Sequence, residues 1–173
     1  WIHPQPIIVS GAKRPALLVA PADSNYLSSF DATSGKLLWE RSFPSGGNHL
    51  LGADSERIYI GGPVTIAISL EKGEDAWKSD LSTSSTGAGC LVGDHIYLPR
   101  SRNTIAKIAR DSGKVVEKLR FRDERVPANA RSNLFALDEQ LLSVSSWGIA
   151  AVLPQQDSWD RIASEPGGKR FEN

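Results

Sequence analysis

The chain has 173 residues, with 20 Lys+Arg balanced by 20 Asp+Glu and 40% hydrophobic residues. These are the values of a folded globular chain and not of a disordered one, and the length suffices to bury a core. The zero net charge argues against a nucleic-acid binder held by bulk electrostatics. No apolar run approaches the roughly 20 residues of a membrane helix.

The chain starts at Trp1 and contains no Met, so the expectation is a processed or excised piece with any targeting segment upstream. Trp1–Gly11 lacks the charged and apolar regions of a signal peptide. In chain order, the first strand signal is Ala16-Leu17-Leu18-Val19-Ala20. Next comes Tyr26–Trp39, in which Asp31-Ala32-Thr33-Ser34-Gly35-Lys36 reads as a hairpin turn, with Gly35 taking the positive φ. Leu50–Asp54 and Arg57–Gly61 follow, the second rich in β-branched and aromatic residues. In Thr65–Leu70, Ile66, Ile68 and Leu70 alternate with Ala67 and Ser69, the period of a strand. A turn at Gly73 then leads to Trp77. The same order returns in Cys90–Asp94, His95–Pro99 and Thr104–Ala109, then Gly113 and Glu117. Leu134–Asp138, Gln140–Val144 and Ile149–Leu153 read as a fourth, degraded set around a turn at Ser146-Trp147-Gly148.

The landmarks repeat with one period. Gly35, Gly73 and Gly113 are 38 and 40 residues apart, and Trp39, Trp77 and Glu117 keep the same spacings. Tyr59 and Tyr97 are also 38 apart. About four strands in about 40 residues is the pitch of a propeller blade. No stretch sustains the apolar spacing of a helix. The expected fold is therefore all-β: about four blades of four antiparallel strands, forming an open arc of a larger propeller, with a small closed ring of four blades as the alternative. The units run over 16–43, 48–81, 87–121 and 130–155, with a polar tail at 156–173. An open arc leaves edge strands free to self-associate.

A blade ending in Asp-x-x-x-Gly-x-x-x-Trp resembles the quinoprotein-like (PQQ-like) β-propeller repeat. The residues that carry the resemblance are Asp31, Gly35 and Trp39, then Gly73 and Trp77, then Gly113, with Ser29 and Ala67 as the motif's small residues. The resemblance implies that Trp39 and Trp77 dock against neighbouring blades. Glu117 in the third tryptophan slot departs from the pattern. The family holds quinone- and calcium-dependent dehydrogenases, which resemble eight-bladed chains several times longer. It also holds non-catalytic scaffolds of the Gram-negative outer membrane. Many of the dehydrogenases carry a vicinal cysteine pair, whereas Cys90 is the only cysteine here. The resemblance therefore favours a non-catalytic scaffold binding a protein partner, periplasmic or otherwise exported, without cofactor. The alternative is a fragment of a pyrroloquinoline-quinone dehydrogenase whose cofactor site lies outside this chain.

Nothing in the sequence assembles a catalytic or metal set. His3, His49 and His95 are 46 residues apart each time, which is no metal-ligand spacing. No Gly-x-Ser-x-Gly elbow occurs. Gly46-Gly47 and Gly87-Ala88-Gly89 read as blade-to-blade connections rather than phosphate loops. Cys90 reads as a small buried hydrophobe. The charge, however, is unevenly placed: net −3 over 1–99, +6 over 100–131 and −3 over 132–173. Lys114, Lys118, Arg120, Arg122 and Arg125 form a candidate patch for an anionic partner. Lys114, Lys118 and Arg120 share the parity of one strand face. Arg122–Arg131 reads as a long exposed connection, where binding function often sits.

Overall fold

A computed structural model describes residues 6–21, 24–44, 49–81, 85–101, 104–120, 131–137 and 140–152. Among them are fifteen strands in four sheets. The first sheet is β1 (Ile7–Val9), β2 (Ala16–Val19), β3 (Tyr26–Asp31) and β4 (Leu37–Ser42). The second is β5 (His49–Ala53), β6 (Arg57–Gly61), β7 (Val64–Ser69) and β8 (Asp75–Asp80). The third is β9 (Cys90–Val92), β10 (His95–Arg100), β11 (Thr104–Ala109) and β12 (Val115–Arg120). The fourth is β13 (Ser132–Leu137), β14 (Gln140–Ser145) and β15 (Gly148–Val152). Every sheet is an antiparallel meander of chain neighbours, the blade pattern expected from the repeat. β1 precedes the 16–43 unit and completes its blade.

One turn recurs in the first three blades. Gly35, Gly73 and Gly113 have φ of 69°, 73° and 71°. Each donates its N–H to the carbonyl four residues back, on Asp31, Ser69 and Ala109. In the first blade, Asp31 Oδ1 also accepts from the Thr33 and Ser34 amides at 3.0 and 2.7 Å. Glycine is needed because the left-handed conformation strains any residue with a Cβ.

A β-bulge then follows in each outer strand. Phe30 pairs with Leu37 and Ser29 with Trp39; Ile68 pairs with Asp75 and Ala67 with Trp77; Ile108 pairs with Val115 and Lys107 with Glu117. Leu38, Ala76 and Val116 are the extra residues. Such a bulge re-aims the side chain that follows it. Here that residue is the tryptophan or its replacement, Glu117.

The blades stack in chain order, with β1 next to β5, β5 next to β9 and β9 next to β13. Each blade has a front face toward its predecessor and a rear face toward its successor. The first seam buries Val9, Leu18 and Leu27 against Ile58, Ile60, Ile66 and Ile68. The second buries Tyr59 and Ala67 against Ile96, Leu98, Ala106 and Ile108. The third is smaller, with Ile105 and Leu134 at its centre and Cys90, Tyr97, Leu119 and Leu141 around them. Near its inner end the third seam is tied by polar bonds. The Leu134 amide donates to the Ala88 carbonyl and the Ala88 amide to Asn133 Oδ1, both at 2.9 Å. Apolar burial at roughly 25 cal/mol per Å2 drives this stacking, since no single blade can cover both its faces.

Candidate functional site

The residues singled out by the repeat meet at the seams. Trp39 leaves the rear face of the first blade and lies on the turn of the second. Its Nε1–H donates to the Leu70 carbonyl at 2.8 Å. Its ring covers Gly73 so closely that a Cβ there would stand 2.7 Å from Trp39 Cδ2. Arg41, two residues on, donates from Nη1 to the Gly73 carbonyl and to Asp75 Oδ1, both at 2.8 Å. Trp77 repeats the arrangement on the third blade. Its Nε1–H donates to the Arg110 carbonyl at 3.0 Å, and its ring covers Gly113. Gly35 occupies the same turn in the first blade and is open, with nothing within 4 Å of an added Cβ.

The second seam carries a polar clasp in addition. The Tyr59 hydroxyl donates to Asp54 Oδ2 at 2.7 Å. Arg110 of the third blade donates from Nη2 to the same carboxylate oxygen and from Nη1 to the Gly93 carbonyl. Its guanidinium lies 5.1 Å from the Tyr59 ring centre, and the Tyr59 and Trp77 rings are 6.2 Å apart. Burial alone would push the Asp54 carboxyl up. The bonds from Tyr59, from the Glu56 and Arg57 amides and from Arg110 outweigh it and hold Asp54 below the ordinary aspartate range. Tyr59 is raised, by burial first and by its bond to Asp54 second. The clasp is a closed charge pair at a seam, not a base with a free face.

The third seam has lost the indole. Glu117 in the tryptophan slot faces Lys107 where the other blades have Ser29 and Ala67, and the two side chains form an ion pair at 3.8 Å. The change is therefore double: the small residue and its tryptophan are both replaced, by a salt-bridged pair.

The basic segment is dispersed by the fold. Arg100 is buried and donates to the Gly62 and Leu81 carbonyls at 3.2 and 3.4 Å. Lys107 and Arg110 are engaged as described. Lys114, Lys118 and Arg120 are exposed on and beside β12, and none is ion-paired with a described residue. The bulge at Val116 breaks the alternation, so Lys118 and Arg120 share a face and Lys114 sits in the turn before the strand. Arg122 and Arg125 lie outside the described residues, as do His3, Gly46-Gly47, the connection 121–130 and the tail 156–173.

His49 and His95 are half-buried strand residues, far apart in different blades. Burial lowers the His49 pKa. Among the described residues no group of three His, Cys, Asp or Glu could hold a metal ion. Burial also pushes the Cys90 thiol up to about 11, the opposite of an activated nucleophile.

The family described as outer membrane protein assembly factor BamB matches residues 8–172. The chain belongs to this family. The BamB of Burkholderia pseudomallei (strain K96243) is 29% identical over 98 residues, which is 54% of this chain and 25% of that protein. The crystal structure of BamB from Moraxella catarrhalis superposes with a TM-score of 0.62 at 18% identity, over 86% of this chain and 44% of that one. The quinohemoprotein alcohol dehydrogenase of Comamonas testosteroni shares the fold at a TM-score of 0.53 and 15% identity, over 69% of this chain and 21% of its own. This chain thus spans a quarter of one BamB relative and under half of the other. The two structural likenesses show the propeller fold, shared by an assembly factor and a dehydrogenase.

Proposed function

We propose that this chain is a non-catalytic part of an exported scaffold, holding a protein partner during outer membrane protein assembly. The observation that carries the reading is membership of the BamB family over 8–172. The chemistry of the described residues supports it. The titratable groups at the seams are consumed in clasps between blades, and the one thiol is held protonated. The exposed β12 side chains Lys118 and Arg120 form the surface on which an acidic partner docks.

The test places a photoactivatable residue at Lys118 in the full-length parent protein, in the envelope of a Gram-negative cell. Crosslinks to a component of outer membrane protein assembly are expected. In parallel, replacing Lys114, Lys118 and Arg120 by Ser should weaken that association in a salt-sensitive manner and leave folding unchanged. Crosslinks to no such component, or quinone-dependent alcohol oxidation by the purified parent, would overturn the reading.

A further inference from the structure

The first two seams differ at the end where the turns lie. In the second seam the clasp of Tyr59, Asp54 and Arg110 fills that place. The strand register gives the counterparts in the first seam. Leu18 pairs with Ser29 as Tyr59 pairs with Ala67. The Leu70 amide donates to the Glu56 carbonyl as the Arg110 amide donates to the Asp94 carbonyl. Leu18 and Leu70 thus stand in the places of Tyr59 and Arg110, and neither carries a polar head. The turn in the place of Asp54 is also longer, with six residues between the paired Val9 and Ala16 against four between Ala53 and Ile58. It contains Lys13 and Arg14 and no acid.

A cleft of about 740 Å3 takes the place of the clasp. Leu38, Leu70 and Ala76 give it apolar lining. Leu38 and Ala76 are the extra residues of two β-bulges, so the bulges shape the cleft as well as aiming the tryptophans. The charged lining has opposite signs on the two sides. The first blade supplies Lys13 and Arg14, and the second supplies Glu56 and Glu71. Glu56 has Arg57 at 3.7 Å. Lys13, Arg14 and Glu71 are exposed, and none of them forms an ion pair with a described residue. Leu70 is braced through its backbone on both sides, its carbonyl accepting from Trp39 and its amide donating to Glu56. The cleft is therefore formed in advance of any occupant.

We infer that this cleft binds a short peptide segment of a partner protein, with an acidic and a basic residue on either side of apolar ones. Its volume is that of a ligand site. The charges select the ligand class. A simple polyanion is attracted by Lys13 and Arg14 but repelled by Glu56 and Glu71, and a polycation meets the reverse. A segment bearing both signs finds an opposite charge on each side, its acid toward Lys13 and Arg14 and its base toward Glu71. Its apolar side chains cover Leu38 and Leu70, which supply the contact area, while the charges supply selection. The cleft lies between the first two blades, apart from Lys118 and Arg120 of the third. Its occupancy and a crosslink at Lys118 therefore report on different surfaces.

Titration calorimetry of the full-length parent protein with the peptide Gly-Glu-Leu-Leu-Lys-Gly, acetylated and amidated so that its ends carry no charge, tests this. Saturable binding is expected. Changing the peptide's Lys to Glu, or its Glu to Lys, should weaken binding about tenfold. In the protein, Lys13→Glu with Arg14→Glu should weaken binding of the mixed peptide by a similar factor and turn the preference to the peptide with two lysines. Ala76→Trp should block the cleft. All three positions are exposed, so the strand content of these variants should stay unchanged. Absence of binding, or binding that survives these substitutions, would overturn the proposal. So would equal binding of the peptide with two glutamates, or displacement by millimolar inorganic phosphate, since either would show a simple anion site.

Discussion

Trp39 Nε1 and the Leu70 carbonyl, 31 residues apart and in different blades, are joined by a 2.8 Å hydrogen bond that seats the indole over Gly73. The turn glycine thus serves twice: it takes the left-handed conformation, and it leaves room for the neighbour's ring. Gly73→Ala should therefore cost more than the roughly 1 kcal/mol of backbone strain alone, reaching about 2–4 kcal/mol once the ring is displaced. Gly93→Ala is the control, with φ of 51° and open space at its Cα. It should cost about 1 kcal/mol. Urea unfolding of both variants measures the difference. Equal losses would remove the docking role of Gly73.

Two ion pairs in the third blade make opposite predictions. Arg110 spans the second seam, holding Asp54, the Gly93 carbonyl and the Tyr59 ring face together. Arg110→Met should cost about 2–3 kcal/mol, because it leaves the half-buried Asp54 carboxylate and Tyr59 without their partner. Lys107 and Glu117 pair at 3.8 Å on the outer side of the blade. Lys107→Met should change stability by less than about 0.5 kcal/mol. Chemical denaturation of the two variants ranks the pairs, and a reversed order would contradict the clasp.

The Asp54 clasp also sets an acid limit. Its carboxyl titrates lower in the folded chain than in the unfolded one, as do those of Asp31 and Asp75. At any pH where the unfolded carboxyl takes up protons first, the unfolded state binds more of them. The stabilisation is thus complete above the unfolded value near 4 and is lost as pH falls through the lower folded value. Midpoints of urea unfolding should hold between pH 5 and 7 and decline below about pH 4. Asp54→Asn should flatten the acid limb, and an unchanged limb would place the linkage elsewhere.

Cys90 should be slow to alkylate. With the thiol raised to about 11 by burial, little thiolate exists at neutral pH. Iodoacetamide at pH 7.5 should modify the folded chain at least 100-fold more slowly than the urea-unfolded chain. Comparable rates would show an accessible, unperturbed thiol.

The blades were legible in the sequence because each turn is local: an acceptor, three residues and a glycine form a self-contained hydrogen-bonded unit. Gly35, Gly73 and Gly113 therefore announce themselves by spacing. Ile7–Val9 did not, since three apolar residues without a turn carry no period; the partner strand β2 defines them as a strand. The bulge at Val116 was equally invisible, and it is why Lys114 leaves the face of Lys118 and Arg120. Arg100 and Arg110 counted as surface charge in a linear tally. Their real partners, Gly62, Leu81 and Asp54, lie 19 to 56 residues away and follow only from how blades stack. Glu117 was visible as a gap in the tryptophan rank. That Lys107 changed with it required the register between β11 and β12.

The Lys107–Glu117 pair has a consequence for how the chain comes apart. In a linear array each unit is held by its own stability plus its coupling to the next, and those couplings here are unequal. The first two junctions have an indole clasp at the periphery, whereas the third is fastened near its inner strands and left unlatched outside. Fluctuations should therefore begin at the rim between β12 and the fourth blade and travel inward. Amide protons there would exchange earliest, those of β6, β7, β10 and β11 latest, and a pulling force would peel the chain from its C-terminal side first.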